Sequence, residues 1–340
     1  MTITPYLLLS LALLTWTALP PAHSTDIGSP AAQRTYCDSA QFNSLTNMWK
    51  PQPDQNTGEV TAVELAAERK IMGRVLEMFK SAYVPNGAIG YYSANYDILS
   101  QVATNPSRYG NTYTFVLSNH KIECRNGKPV AIDVSLGNVS VQVNTSFVGE
   151  ATIGDSAVGF SFLPRGYYQR KDKTALPETN AEGIHEFNFG DGTTVWWLTR
   201  GGVLPFRVVT RREFLEKQIE ILRSRAGTSE QRIAYYQGLL NDSPNEAAIV
   251  KDIEVPSLNG YAYVFTTLAD RASRVYVTLN PDYYDRRQPK SAPQHILIRL
   301  QHGSATFLNS TGIGPRHLES FQKLREIVRA NLAELRAMVK

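Results

Sequence analysis

Residues 112–143 read TYTFVLSNHKIECRNGKPVAIDVSLGNVSVQV, and the fold class turns on this stretch. Thr112, Tyr113, Thr114, Phe115, Val116 and Leu117 favour a strand, because β-branched and aromatic side chains fit a pleated, half-buried surface. Arg125-Asn126-Gly127-Lys128 is the clearest hairpin turn in the chain, since Asn-Gly tolerates the positive φ angles of a type I′ turn. It joins a strand through Ile122 to one over 130–134. Val139, Val141 and Val143 then alternate with polar Ser140 and Gln142, the period of a strand with one buried face.

Upstream lies a helix. Thr61 and Glu64 form a capping-box pattern, and Leu65, Met72, Val75, Leu76 and Phe79 recur at helical spacing before Val84-Pro85-Asn86-Gly87 stops it. Downstream, 158–163 reads as a short strand, 165–182 as a polar exposed loop, and 184–198 as a second hairpin turning at Gly190-Asp191-Gly192. In 204–215 an extended segment runs into a helix capped by Thr210 and Glu213, with Leu215, Ile219 and Leu222 as its apolar stripe. Thr228 and Gln231 repeat the capping pattern, so 204–240 holds a helical hairpin. Strands resume at 261–267, 274–279 and 295–301, around a Pro- and charge-rich loop at 280–292. Pro315 suits the first turn of a last long helix, with Leu318, Phe321, Leu324, Val328, Leu332, Leu335 and Val339 on one face.

Strands in runs, without βαβ alternation, predict an α+β fold of antiparallel sheet blocks, with the helical hairpin inserted and a long C-terminal helix. Val84-Pro85-Asn86-Gly87-Ala88 is echoed by Val255-Pro256-Ser257-Leu258-Asn259-Gly260-Tyr261. The echo suggests two related halves, 61–202 and 203–340, within one globular region. Residues 25–60, rich in Ser, Thr, Asn, Gln, Gly and Pro, read as a loosely structured lead-in.

The first 24 residues read as a cleavable signal peptide. An apolar run from Tyr6 to Leu19 is stopped by Pro20-Pro21, and Ala22-His23-Ser24 offers a cleavage site after Ser24. The run is about fourteen residues where a spanning helix needs about twenty. An uncleaved anchor is the weaker reading, kept alive by the lack of Lys or Arg before the run. No later stretch approaches spanning length, so the expected setting is periplasmic or extracellular. In such a compartment the two cysteines, Cys37 and Cys124, are expected to form one disulfide. Closing so long a loop stabilises by about 4–5 kcal/mol in the chain-entropy model.

The formal charge of +4 is mild, and basic and acidic residues are interleaved, unlike a nucleic-acid surface. The cluster Arg165, Arg170, Lys171 and Lys173 reads as a solvated loop. None of His120, His185, His295, His302 and His317 lies in an HxH, HExxH or CxxC pattern, so neither metal nor cofactor is expected. Gly201-Gly202 and Gly312-Ile313-Gly314 lack the remainder of any phosphate or dinucleotide motif. Asp282 and Asp285 share an ordinary loop. Ser156, in Gly154-Asp155-Ser156, lacks the flanking glycine of a nucleophile elbow.

Paired aromatics stand out: Tyr91-Tyr92, Tyr167-Tyr168, Trp196-Trp197, Tyr235-Tyr236 and Tyr283-Tyr284. Adjacent strand residues face opposite ways, so Trp196 and Trp197 require either two covered faces or one exposed indole. On the exposed reading, Trp196, Trp197, Tyr283 and Tyr284 are candidate binding residues for a glycan or protein partner in the cell envelope. The function expected is therefore non-catalytic binding of an envelope ligand or partner. The alternative is a secreted hydrolase built on Ser156 or the His185 region. Self-association through the last helix is a further use of its apolar face.

Two segments carry a resemblance. Pro205-Phe206 followed by Val209-Thr210-Arg211-Arg212-Glu213-Phe214-Leu215, and Asn280-Pro281-Asp282-Tyr283-Tyr284-Asp285 with Pro289-Lys290-Ser291-Ala292-Pro293-Gln294, resemble stretches of uncharacterised exported proteins of Gram-negative bacteria. The resemblance implies a bacterial envelope setting and no particular activity.

Overall fold

The computed structural model describes residues 48–56, 60–85, 88–96, 109–145, 160–163, 168, 180–189, 192–224, 230–241, 245–302 and 315–340. Its first half contains β1 (Met48–Pro51), β2 (Gln55–Asn56), α1 (Ala62–Ala82), β3 (Ala88–Tyr96), β4 (Tyr113–Arg125), β5 (Lys128–Val143), β6 (Ser161–Leu163), β7 (Ile184–Asn188) and β8 (Thr193–Leu198). The second half contains β9 (Phe206–Val208), α2 (Arg211–Ser224), α3 (Glu230–Asn241), β10 (Ile249–Val255), β11 (Gly260–Phe265), β12 (Arg274–Leu279), β13 (Ile296–His302) and α4 (Pro315–Ala337).

The 125–128 turn forms as its sequence requires, with Asn126 at φ 52° and Gly127 at φ 74°. It closes the long β4–β5 ladder down to the pair Arg125↔Lys128. The two strands expected at 130–134 and 139–143 are one, β5, carried past a register shift at Asn119/His120. Gly137 marks the place. A Cβ there would lie 1.8 Å from Cζ of Phe321 on α4, so the missing side chain lets that helix reach the sheet.

One sheet runs β1-β3-β4-β5-β13-β8-β7, with β2 also on β3. Its pairs are antiparallel except that β1 and β2 run parallel to β3. The second runs β11-β10-β12-β6, with β9 also on β12. The class is α+β, as expected. Two features bear on the domain organisation. The segment 25–60 is not loose throughout, because 48–51 and 55–56 pair with β3. Strand pairing crosses the 202/203 boundary between the two halves. β13 lies between β5 and β8 in the first sheet, and β6 pairs with β12 in the second. Each sheet is completed by a strand from the other half.

The layers follow from three apolar clusters. Met72, Val75 and Phe79 of α1 and Phe321, Leu324 and Val328 of α4 pack on Phe115, Leu117, Val139, Val141 and Trp196 of the first sheet. Between the sheets, Val195, Trp197 and Leu297 meet Phe206, Val275, Val277 and Leu279. On the outer face of the second sheet, Phe214, Leu215 and Ile219 of α2 and Ile233 and Tyr236 of α3 cover Val250, Ala262 and Tyr276. The order is helices, sheet, sheet, helices. The apolar stripe of α4, a candidate for self-association, is spent on this core. Among the described residues no helix is long and apolar enough to cross a membrane.

Two of the three capping patterns form capping boxes, and Thr228 of the third lies outside the described residues. Thr61 Oγ1 accepts from Glu64 N while Glu64 accepts from Thr61 N, and Thr210 and Glu213 do the same. Glu213 also holds Arg207 through two bonds of 2.9 and 2.7 Å. Those Arg207 bonds bring its carboxyl down to about 2.

Candidate ligand-binding groove

The four aromatics expected to face a ligand are buried. Trp196 and Trp197 are both 0% exposed, because the sheet that carries them is covered on both sides. Trp196 faces the helices and donates from Nε1 to Glu186 at 2.8 Å. Burial raises the Glu186 carboxyl, but bonds from Arg329 and Trp196 outweigh it, and the group lies below its ordinary value. Trp197 faces the second sheet and stacks on Phe206 at 4.8 Å. Tyr283 and Tyr284 are equally enclosed. The exposed-aromatic reading is thereby corrected: these side chains build the core between the sheets.

The loop around Tyr283 is a structural clamp. Tyr283 donates to Gln294 O and accepts from Arg200 N. Asn144, at φ 50°, donates to Asn111 O and Ala292 O and accepts from Gln294 N. Gln294 accepts from Asp285 N and donates to Tyr109 O. His295, fully buried, has Nε2 2.8 Å from Thr145 O. Since a carbonyl only accepts, that nitrogen carries the proton. Burial takes the ring down to about 4, so it is neutral at pH 7. Asp285 pairs with exposed Arg287 rather than with Asp282.

Other candidates resolve similarly. His185 is buried, with Nε2 3.5 Å from Thr199 Oγ1. Ser156, Cys37 and the basic cluster 165–173 fall outside the described residues, but Tyr168 of the supposedly exposed loop is buried and donates to Ser273 O at 2.6 Å. Among the described residues no cysteine is free, and no group of His, Cys, Asp or Glu is arranged to hold a metal ion.

Among the described residues, β7, β8 and β13 supply the first sheet's side of the inter-sheet cluster. Over β3 and β4 the same face stays part-open, and a groove of about 440 Å³ lies there. That volume is in the range of small-molecule sites. Tyr91, Ser93, Val116, Ser118 and His120 line it, brought together by the pairs Tyr91↔Ser118 and Ser93↔Val116. Ala131 and Ile132 close one side; Lys50, Gln52 and Tyr92 close the other.

Local structure fixes each polar group. The register shift at His120 brings its Nδ1 to 3.2 Å from Ile132 O. Nδ1 therefore carries the proton, which leaves Nε2 as an acceptor in the neutral ring. The ring meets Tyr91 edge-on at 4.8 Å. Trp49 pins β1: it donates to Tyr83 O at 3.3 Å and packs edge-on against Tyr83 and Tyr92. Strand alternation then turns Lys50, opposite Tyr91, to the groove face, with Nζ 5.6 Å from the Tyr91 ring centre. Gln52 N donates to Tyr92 O at 2.7 Å and prolongs the pairing.

Of these residues only the Tyr91-Tyr92 pair stood out in the sequence. Lys50 and Gln52 lay in the segment read as loose, and His120 looked like an isolated histidine. Comparison with known proteins returns no matching family model, no similar characterised protein and no similar solved structure.

Proposed function

We propose that this chain is an exported, non-catalytic protein of the cell envelope that holds a small polar ligand in the β3–β4 groove. The carrying observation is the groove itself: an aromatic ring, two serine hydroxyls, an accepting imidazole nitrogen and a lysine converge on one part-open sheet face. The leader-like first 24 residues support export. Cys124, at the end of β4 and not a free thiol, supports a Cys37–Cys124 bridge.

The test incubates purified protein with small molecules and glycans extracted from the envelope, then identifies what is retained by mass spectrometry. Wild type is expected to retain a compound that Tyr91→Ala releases. Turnover of an ester, peptide or glycoside with nothing retained would overturn the reading. N-terminal sequencing should give Thr25, and both cysteines should alkylate only after reduction.

A further inference from the structure

We infer that the groove selects a carboxylated saccharide over its neutral counterpart. The inference rests on the binding reading above and specifies the ligand's chemistry. Three features carry it. First, among the described residues that line the groove none is Asp or Glu, and Lys50 brings an ammonium. Its ammonium sits over the Tyr91 ring and makes no ion pair among the described residues, so its charge is available to an incoming carboxylate. Second, hydroxyl recognition is supplied by neutral groups. Nε2 of His120 is the ring nitrogen left for a ligand, because Nδ1 is committed to Ile132 O, and Ser93 and Ser118 can donate or accept. Third, Val116, Ala131 and Ile132 give an apolar wall against which the C–H face of a sugar ring can lie. A purely apolar ligand would strand the polar groups, and a bare anion would leave the wall and hydroxyls unused. A ring bearing hydroxyls and one carboxylate satisfies all three.

The experiment is titration calorimetry of the full protein with a galacturonate trimer, the matching neutral galactose trimer and monomeric galacturonate. The monomer separates a free sugar acid from a polymer segment as the source. The acidic trimer or the monomer is expected to bind, and the neutral trimer to bind up to about fivefold more weakly, the upper range of one exposed ion pair. Lys50→Met should erase that preference, and Tyr91→Ala should weaken binding about tenfold or more. Lys50 is exposed, so its variant tests the charge without disturbing packing; matching thermal melts confirm folding. Equal affinity for the two trimers, a preference surviving Lys50→Met, or no binding of either acid overturns the inference. The binding reading stands in each case if the envelope extract still yields a compound lost in Tyr91→Ala, and falls with it otherwise.

Discussion

One face of the large sheet presents two different surfaces. Along β7, β8 and β13 it carries Phe187, Val195, Trp197 and Leu297 and is sealed by the second sheet. Along β3 and β4 it carries Tyr91, Ser93, Ser118 and His120 and is part-open. The backbone geometry is shared, and so is the helix-covered reverse face. What differs is side-chain chemistry at alternate positions. Apolar residues there recruit a second sheet, while hydroxyls and imidazole, costly to bury without partners, leave room for a ligand. The sealed end should therefore govern stability and the open end binding.

The sharpest attack on that division is Trp197→Ala. Removing a fully buried indole from the inter-sheet cluster should cost about 3–5 kcal/mol, read from urea unfolding. Tyr91→Ala, at the open end, should cost less than about 1 kcal/mol. A comparable loss at both would erase the distinction.

The second effect depends on pH. His295 titrates near 4 in the folded protein against an ordinary 6.5. Its neutral form is the one the fold accommodates, so the contribution is complete above pH 6.5. It is lost as pH falls toward 4, when the unfolded chain takes up the proton first. The loss is about 3 kcal/mol. Urea midpoints between pH 7 and 4 should show this slope, and His295→Gln should flatten it. Glu213, near 2 against an ordinary 4.5, contributes fully above pH 4.5 and loses that contribution as pH falls toward 2, so it overlaps only the acid end of this window.

Next comes Gly137→Ala, which sets a Cβ against Phe321. It should destabilise by about 1–3 kcal/mol, less in a Phe321→Leu background; additive losses would show that the close approach is not the cause. Smallest is Thr210→Ala, which removes the α2 cap and should cost about 1 kcal/mol, with ligand retention unchanged.

Much of the local structure was legible beforehand. Asn126-Gly127 dictated a turn, Thr61/Glu64 and Thr210/Glu213 dictated helix starts, and Pro315 began the last helix. These signals act over a few residues, where backbone sterics and caps decide. β10 went unnoticed because Lys251, Asp252 and Glu254 break its apolar pattern. β1 went unnoticed because four residues in a parallel edge pair have no periodicity to read. The position of β13 depends on partners roughly a hundred residues or more away in sequence, and spacing carries no trace of that. The groove was hidden for the same reason. Lys50, Tyr91 and His120 meet only through register, and each alone is an ordinary surface residue. The resembling segments were conspicuous because they are structural, one a capped helix start and the other the clamp around Tyr283.

The exchange of β13 and β6 between the sheets sets the order in which the molecule can be completed. A chain emerging from a ribosome, or threaded N-terminus first through a translocation pore, has β5 and β8 in hand long before the strand that joins them. The gap at the centre of the large sheet persists until residues 296–302 arrive, and its helical cover waits for α4 at 315–337. Such non-local pairing slows folding. A fragment that stops short of β13 and α4 therefore lacks a closed core.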